Sequence, residues 1–195
     1  MKHVTLALMT SFAVLTFIAA PALAQRGGGR TSPHETISAV IDPANRGSSR
    51  VTIYYGRPYS KNPRGEDIRK VWGAPLVPYG RAWRLGADEA TLLLTQQPLQ
   101  IGETTIPPGA YTLYMVPEEN GAKLAFSKTL GGWGVPVDEK NDLARVDMKK
   151  EAVENQVDQL TIAIEPNPPA SGTVGGTLRV TWEKAQYSVP FAIKK

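Results

Sequence analysis

What most limits the fold of this chain is its rhythm: short runs of alternating apolar and polar residues, separated by Gly, Pro and Asn. Residues 50–55 (RVTIYY) set Val51, Ile53 and Tyr55 on one face against Arg50, Thr52 and Tyr54 on the other. That is the period-two signature of a strand buried on one side. Residues 110–116 (AYTLYMV) alternate in the same way. Strand-type runs also fall at 36–41, 89–95, 99–101, 104–106, 123–127, 143–149, 159–165, 177–183 and 187–193. Gly102-Glu103 supplies a two-residue hairpin turn, and Glu119-Asn120-Gly121 supplies another turn. So many short strands with almost no helix predict an all-β fold, an antiparallel β-sandwich of jelly-roll or immunoglobulin-like kind. One short helix is expected inside a long loop. Residues 66–72 (EDIRKVW) open with acidic side chains, place Ile68, Val71 and Trp72 at helical spacing, and stop at Gly73. Residues 151–157 read as loop or a helical turn.

The first 24 residues are of another kind. Lys2 precedes an almost wholly apolar run from Val4 to Ala20, Pro21 breaks it, and Ala22-Leu23-Ala24 is a small-x-small cleavage pattern. This is the layout of a secretory signal peptide, shorter than a bilayer span, and it predicts a mature chain starting at Gln25. Residues 25–31, with Gly27-Gly28-Gly29, form a flexible lead-in, and residues 32–195 form the single β-domain. The expected location is the periplasm or the exterior. No later run is long and apolar enough for a helical span.

The chain has no Cys, which removes disulfides, thiolate metal sites, a Cys nucleophile and a lipid-bearing Cys after the apolar run. Packing alone must hold the domain together. The formal net charge is +4, but Lys and Arg are interspersed with Asp and Glu, a poor footprint for nucleic acid. His34 is the one His after the signal segment, so neither a His-based metal set nor a Ser–His–acid triad has its parts, and His34 reads as a surface or edge-strand residue. Gly131-Gly132-Trp133-Gly134 lacks the Lys and helix of a phosphate-binding loop; it reads as a tight turn that lets Trp133 pack down. No cofactor is implied.

The segment 55–91 is where chemistry would lie. It gathers Arg57, Arg64, Arg81 and Arg84 with Tyr59, Trp72, Tyr79 and Trp83, and with Glu66, Asp67, Asp88 and Glu89. A long ordered connection of this composition is a candidate binding loop. A guanidinium can hold a carboxylate in a fork while an aromatic face covers it, so Arg84 with Glu89 or Asp88 suits either a ligand pocket or an internal clamp. The candidate ligand-binding residues are Arg57, Tyr79, Trp83, Arg84, Asp88 and Glu89, and the partner would be a small molecule or an envelope component. The alternative is a hydrolase acting on a glycan or other envelope polymer with carboxylates of 66–89, since glycoside hydrolysis needs a pair of carboxyl groups. For Trp182, on an alternating run, the core is the expected place.

The runs RPYSKNPRGEDI, LVPYGRAWRLGADEAT and IPPGAYTLYMVP make the chain resemble the DUF2911 family of exported bacterial proteins. The likeness runs from Ser32-Pro33 through Trp133-Gly134 to Asp142 and Arg145, and residues 76–91 are its most specific part. The resemblance implies a secreted or periplasmic β-domain and assigns no activity. The chain departs from the family pattern at Gly86-Ala87-Asp88, where Asn is usual in the third place, and at Leu124 and Ser127, near the usual Trp and Asn. A role needing a neutral amide at position 88 is therefore in doubt.

Overall fold

The computed structural model describes residues 32–61 and 69–194. The signal segment, the lead-in and residues 66–68 of the expected 66–72 helix lie outside them; the described part of that helix, 69–72, is not helical.

The strands are β1 (His34–Val40), β2 (Arg50–Gly56), β3 (Thr91–Thr95), β4 (Leu99–Ile101), β5 (Thr104–Ile106), β6 (Gly109–Pro117), β7 (Gly121–Ser127), β8 (Asp142–Pro166) and β9 (Gly175–Ile193). They form one antiparallel sheet in the order β1-β2-β3-β6-β7-β8-β9-β4-β5. Register follows the alternating pattern: Ile37 lies opposite Ile53, Ile53 opposite Leu93, and Leu124 opposite Val146. Each pairing keeps apolar side chains on one face, because a slip of one residue would turn them to solvent.

The all-β, antiparallel class holds, and one continuous sheet supplies both packed faces. The runs at 143–149 and 159–165 are two parts of β8, and 151–157 between them is strand rather than helical turn. The runs at 177–183 and 187–193 likewise join into β9. Bending makes this possible. The β8–β9 ladder shifts register between Ala152 and Val157 and again between Val157 and Thr161, while Glu183 adopts φ 52°. Such irregularities bend strands and sharpen their twist. The far half of β8 thereby returns to β2, where the Ile162 amide donates to the Tyr55 hydroxyl at 3.0 Å and the Leu160 amide to the Pro58 carbonyl at 3.0 Å. Ile53 and Tyr55 of β2 join Leu160 and Ile162 of β8 and Val180 and Trp182 of β9 in one buried apolar cluster.

Candidate functional site

The segment between β2 and β3 is positioned by three kinds of contact. Trp83 exchanges two main-chain hydrogen bonds of 2.8 Å with Met115, and the Gly80 amide donates to the Pro117 carbonyl at 2.8 Å. Residues 80–83 therefore run along the free flank of β6 beyond the end of β3. The Glu183 carboxylate accepts from the amides of Val71 at 3.0 Å and Trp72 at 3.4 Å, so the unusual backbone at Glu183 also caps this loop. Trp72, Trp83 and Trp182 then lock together. Trp83 stacks on Trp182 with centroids 5.9 Å apart, Trp72 meets Trp83 edge-on at 5.8 Å, and the Trp72 indole donates to the Trp182 carbonyl at 2.9 Å.

Residues 85–88 make a tight, unusual turn. Leu85 has φ 55° and Asp88 φ 64°, left-handed conformations that cost a Leu more than an Asp. Complete burial of the Leu85 side chain and a hydrogen bond of 2.9 Å from the Thr91 hydroxyl to its carbonyl hold the turn. Gly56 is required beneath it, since a Cβ there would lie 2.1 Å from the Ala87 carbonyl oxygen. Gly134 does the same from the other side: at φ +72° its missing Cβ lets the 131–136 loop settle against Ala90 and Arg84.

Arg84 joins these two loops. Its Nη1 donates to the carbonyls of Asp88 at 2.5 Å and Trp133 at 2.8 Å, and its guanidinium lies 5.7 Å from the centre of the Trp133 ring. The expected fork onto Glu89 or Asp88 is therefore not the clamp. The tether runs to main-chain oxygens, and Glu89 instead meets His34 Nε2 at 2.9 Å. Burial pulls the Arg84 pKa below its ordinary value, while the charges of Asp88 and Glu89 act in the opposite sense. His34 is on the edge strand as expected but is not a surface group: its side chain is 10 % exposed and stacks on Tyr54 at 5.4 Å.

Arg84 lines two hollows. The larger, about 350 Å³, is also lined by Trp83, Trp182, Asp88, Arg69 and Leu76. The smaller, about 150 Å³, is lined on its other sides by Thr112, Tyr114, Ser127 and the 131–138 loop. Behind the smaller hollow, Tyr114 donates to Asp142, and Arg145 reaches Asp142 at 2.7 Å, the Tyr114 hydroxyl at 2.7 Å and Glu139 at 2.5 Å. Burial first, and the Asp142 carboxylate second, raise the Tyr114 pKa.

Of the residues singled out from sequence, Trp83, Arg84 and Asp88 come together in the larger hollow. Arg57 instead pins β2 to β8, with Nε 3.0 Å from the Leu160 carbonyl, Nη2 3.1 Å from the Thr161 hydroxyl, and Glu35 at 3.2 Å. Tyr79 belongs to a separate shallow groove, where Lys150 Nζ sits 5.3 Å from its ring. Glu89 is drawn to β1 through His34. Arg69 and Trp182 line the same hollow and were not expected there; Arg69 belonged to the segment already marked as rich in Arg, while nothing in the sequence ties Trp182 to it. The loop 131–136 also differs from expectation, because Trp133 is 48 % exposed instead of packed down, with Leu130 and Val135 exposed beside it.

A family model described as a protein of unknown function, DUF2911, matches residues 32–191. No curated protein and no solved structure gives a match. The matched span holds every strand, β9 up to Phe191, and all the residues of the hollow, and the chain belongs to the DUF2911 family.

Proposed function

We propose that this is an exported, non-catalytic β-domain that binds a small anionic ligand in the hollow formed by Trp83, Arg84 and Asp88. The observation that carries the reading is the state of Arg84. A half-buried guanidinium is held by two carbonyls through one nitrogen, at the junction of two hollows, and among the described residues Nε and Nη2 have no hydrogen-bond acceptor. A partly desolvated cation anchored this way is pre-organised for a carboxylate or phosphate, which would restore the electrostatic balance that burial disturbs. Trp83 and Trp182, stacked on each other and almost wholly buried, form an apolar back to this hollow, the usual complement to a few polar groups in a small-molecule site.

Binding is favoured over glycan hydrolysis by the placement of carboxylates. A glycosidase needs two of them flanking one bond. Asp88 lines the hollow, whereas the neighbouring Glu89 is turned to His34 of β1. Export is supported by the N-terminal pattern of residues 1–24, and N-terminal sequencing of the processed protein should begin at Gln25.

The test is calorimetric titration of the mature chain with benzoate and with inorganic phosphate. Saturable binding lost in Arg84→Met, with the fold retained by circular dichroism, supports the site. Heats indistinguishable from dilution, or equal binding by Arg84→Met, overturn it.

A further inference from the structure

Tyr79 lies apart from Arg84, in an open groove of about 360 Å³ that shares no lining residue with the two Arg84 hollows. Among the described residues the groove carries three ammonium groups, Lys70, Lys150 and Lys184, against one carboxylate, Glu183. That carboxylate is taken up by the backbone: one oxygen accepts from the Val71 amide at 3.0 Å and the other from the Trp72 amide at 3.4 Å. Lys150 is half-buried and fixed in place. Its Nζ donates to the Glu119 carbonyl at 2.7 Å and to the Tyr79 hydroxyl at 3.3 Å. It also stands 5.3 Å from the Tyr79 ring centre and 5.7 Å from that of Tyr187. Lys70 and Lys184 are exposed, and neither has a hydrogen bond or an ion pair among the described residues.

The groove is therefore lined by donors. The Tyr79 hydroxyl accepts from Lys150 and donates to no group among the described residues, which leaves its proton available to a ligand. An ammonium has three donors and no acceptor. Such a lining suits a ligand that is rich in acceptors and carries more than one negative charge. Nor is this only the general charge of the surface, since Lys123 is matched by Asp147 and Lys149 by Glu151. The type of cation narrows the ligand further. A guanidinium fork matches a planar carboxylate, whereas an ammonium is a compact point charge on a flexible stem, suited to the tetrahedral oxygens of phosphate. The cations of this groove are all Lys.

We propose that the groove binds a compact phosphate polyanion. Lys150 and Tyr79 form its fixed base, and Lys70 and Lys184 close on the phosphate oxygens from the solvent side. The recognised group is the same whether it belongs to a soluble diphosphate or to a phosphate-bearing lipid headgroup. This site stands or falls independently of the Arg84 hollow.

The experiment titrates inorganic pyrophosphate calorimetrically into the mature chain, into the double variant Lys70→Met/Lys184→Met, into Tyr79→Phe and into Lys128→Met. The last removes an exposed Lys outside the groove and controls for net charge. The wild type should bind saturably with a Kd of about 1 mM or tighter. The double substitution should weaken binding by about tenfold and Tyr79→Phe by about threefold, with Lys128→Met within about twofold of wild type. Co-sedimentation with phosphatidylcholine vesicles, with and without phosphatidic acid, separates the sources. Sedimentation that needs both phosphatidic acid and the two lysines assigns the phosphate to a lipid headgroup, and pyrophosphate binding without it assigns a soluble ligand. Absence of both, or an equal loss in Lys128→Met, overturns the proposal. Pyrophosphate binding that survives the double substitution and is lost in Arg84→Met belongs to the other hollow and overturns it too.

Discussion

Arg84 donates to the Trp133 carbonyl at 2.8 Å across 49 positions of sequence, and its guanidinium lies 5.7 Å from the Trp133 ring centre. That contact draws the 131–136 loop onto the turn at 85–88. It also makes Arg84 a main-chain tether rather than half of an ion pair, and the candidate site depends on the distinction.

A double-mutant cycle measures it. If Arg84 and Glu89 formed a buried clamp, removing one partner would cost about 3–5 kcal/mol. With the guanidinium held by carbonyls, the coupling between Arg84→Met and Glu89→Gln should be no more than about 1 kcal/mol by urea denaturation. A coupling of clamp size contradicts the geometry.

Gly56 should be intolerant of any side chain. An added Cβ would lie 2.1 Å from the Ala87 carbonyl oxygen, whereas at Gly47 it would meet nothing within 4 Å. Gly56→Ala is expected to destabilise by about 1–3 kcal/mol or more, through overpacking, and Gly47→Ala by far less. Equal melting temperatures for the two variants would show that the 85–88 turn does not rest on β2.

Fluorescence quenching separates the tryptophans. Trp133 is 48 % exposed, against 5 % for Trp72, 8 % for Trp83 and 0 % for Trp182. Trp133→Phe should remove most of the iodide-accessible emission and change stability by no more than about 0.5 kcal/mol. Persistent quenching in that variant would place another indole at the surface.

Alkaline pH should weaken the fold through Tyr55. Burial raises its pKa from 10.0 to about 12; the hydrogen bond to Glu35 adds to the rise, and the Ile162 amide and Arg57 oppose it. The folded state thus holds the phenolic proton more tightly than the unfolded chain. Its contribution is complete below pH 10 and is lost as pH rises through about 12. The loss corresponds to about 2–3 kcal/mol. Tyr55→Phe should flatten the decline in this window while losing about 1 kcal/mol of hydrogen bonding at neutral pH. An unaltered pH profile in the variant would contradict the assignment.

The strands were legible because a half-buried strand writes itself as alternation, as in residues 50–55, where Val51, Ile53 and Tyr55 are all buried. The union of all strands in one sheet was not. It depends on register shifts around Val157 and on the left-handed backbone of Glu183, and neither leaves a periodic trace. The site was half visible. Trp83, Arg84 and Asp88 stood out by residue type, but the oxygens that hold Arg84 are carbonyls, which every residue carries. Side-chain types alone therefore point Arg84 toward Glu89, whereas the fold brings His34 to Glu89 from the start of β1. The Gly-rich turn around Trp133 predicts that its ring packs down, as most Trp rings do. The positive φ of Gly131, Gly132 and Gly134 instead carries it outward over Arg84.

The claim that Arg84 anchors an anion beside the indole of Trp83 is tested most directly by the ¹H–¹⁵N correlation spectrum during a benzoate titration. The Nε–H peak of Arg84 and the indole peak of Trp83 should move together and saturate, and the indole movement should vanish in Arg84→Met. Peaks that stay in place up to about 10 mM benzoate, well above a millimolar Kd, or an indole shift that persists without Arg84, would contradict it.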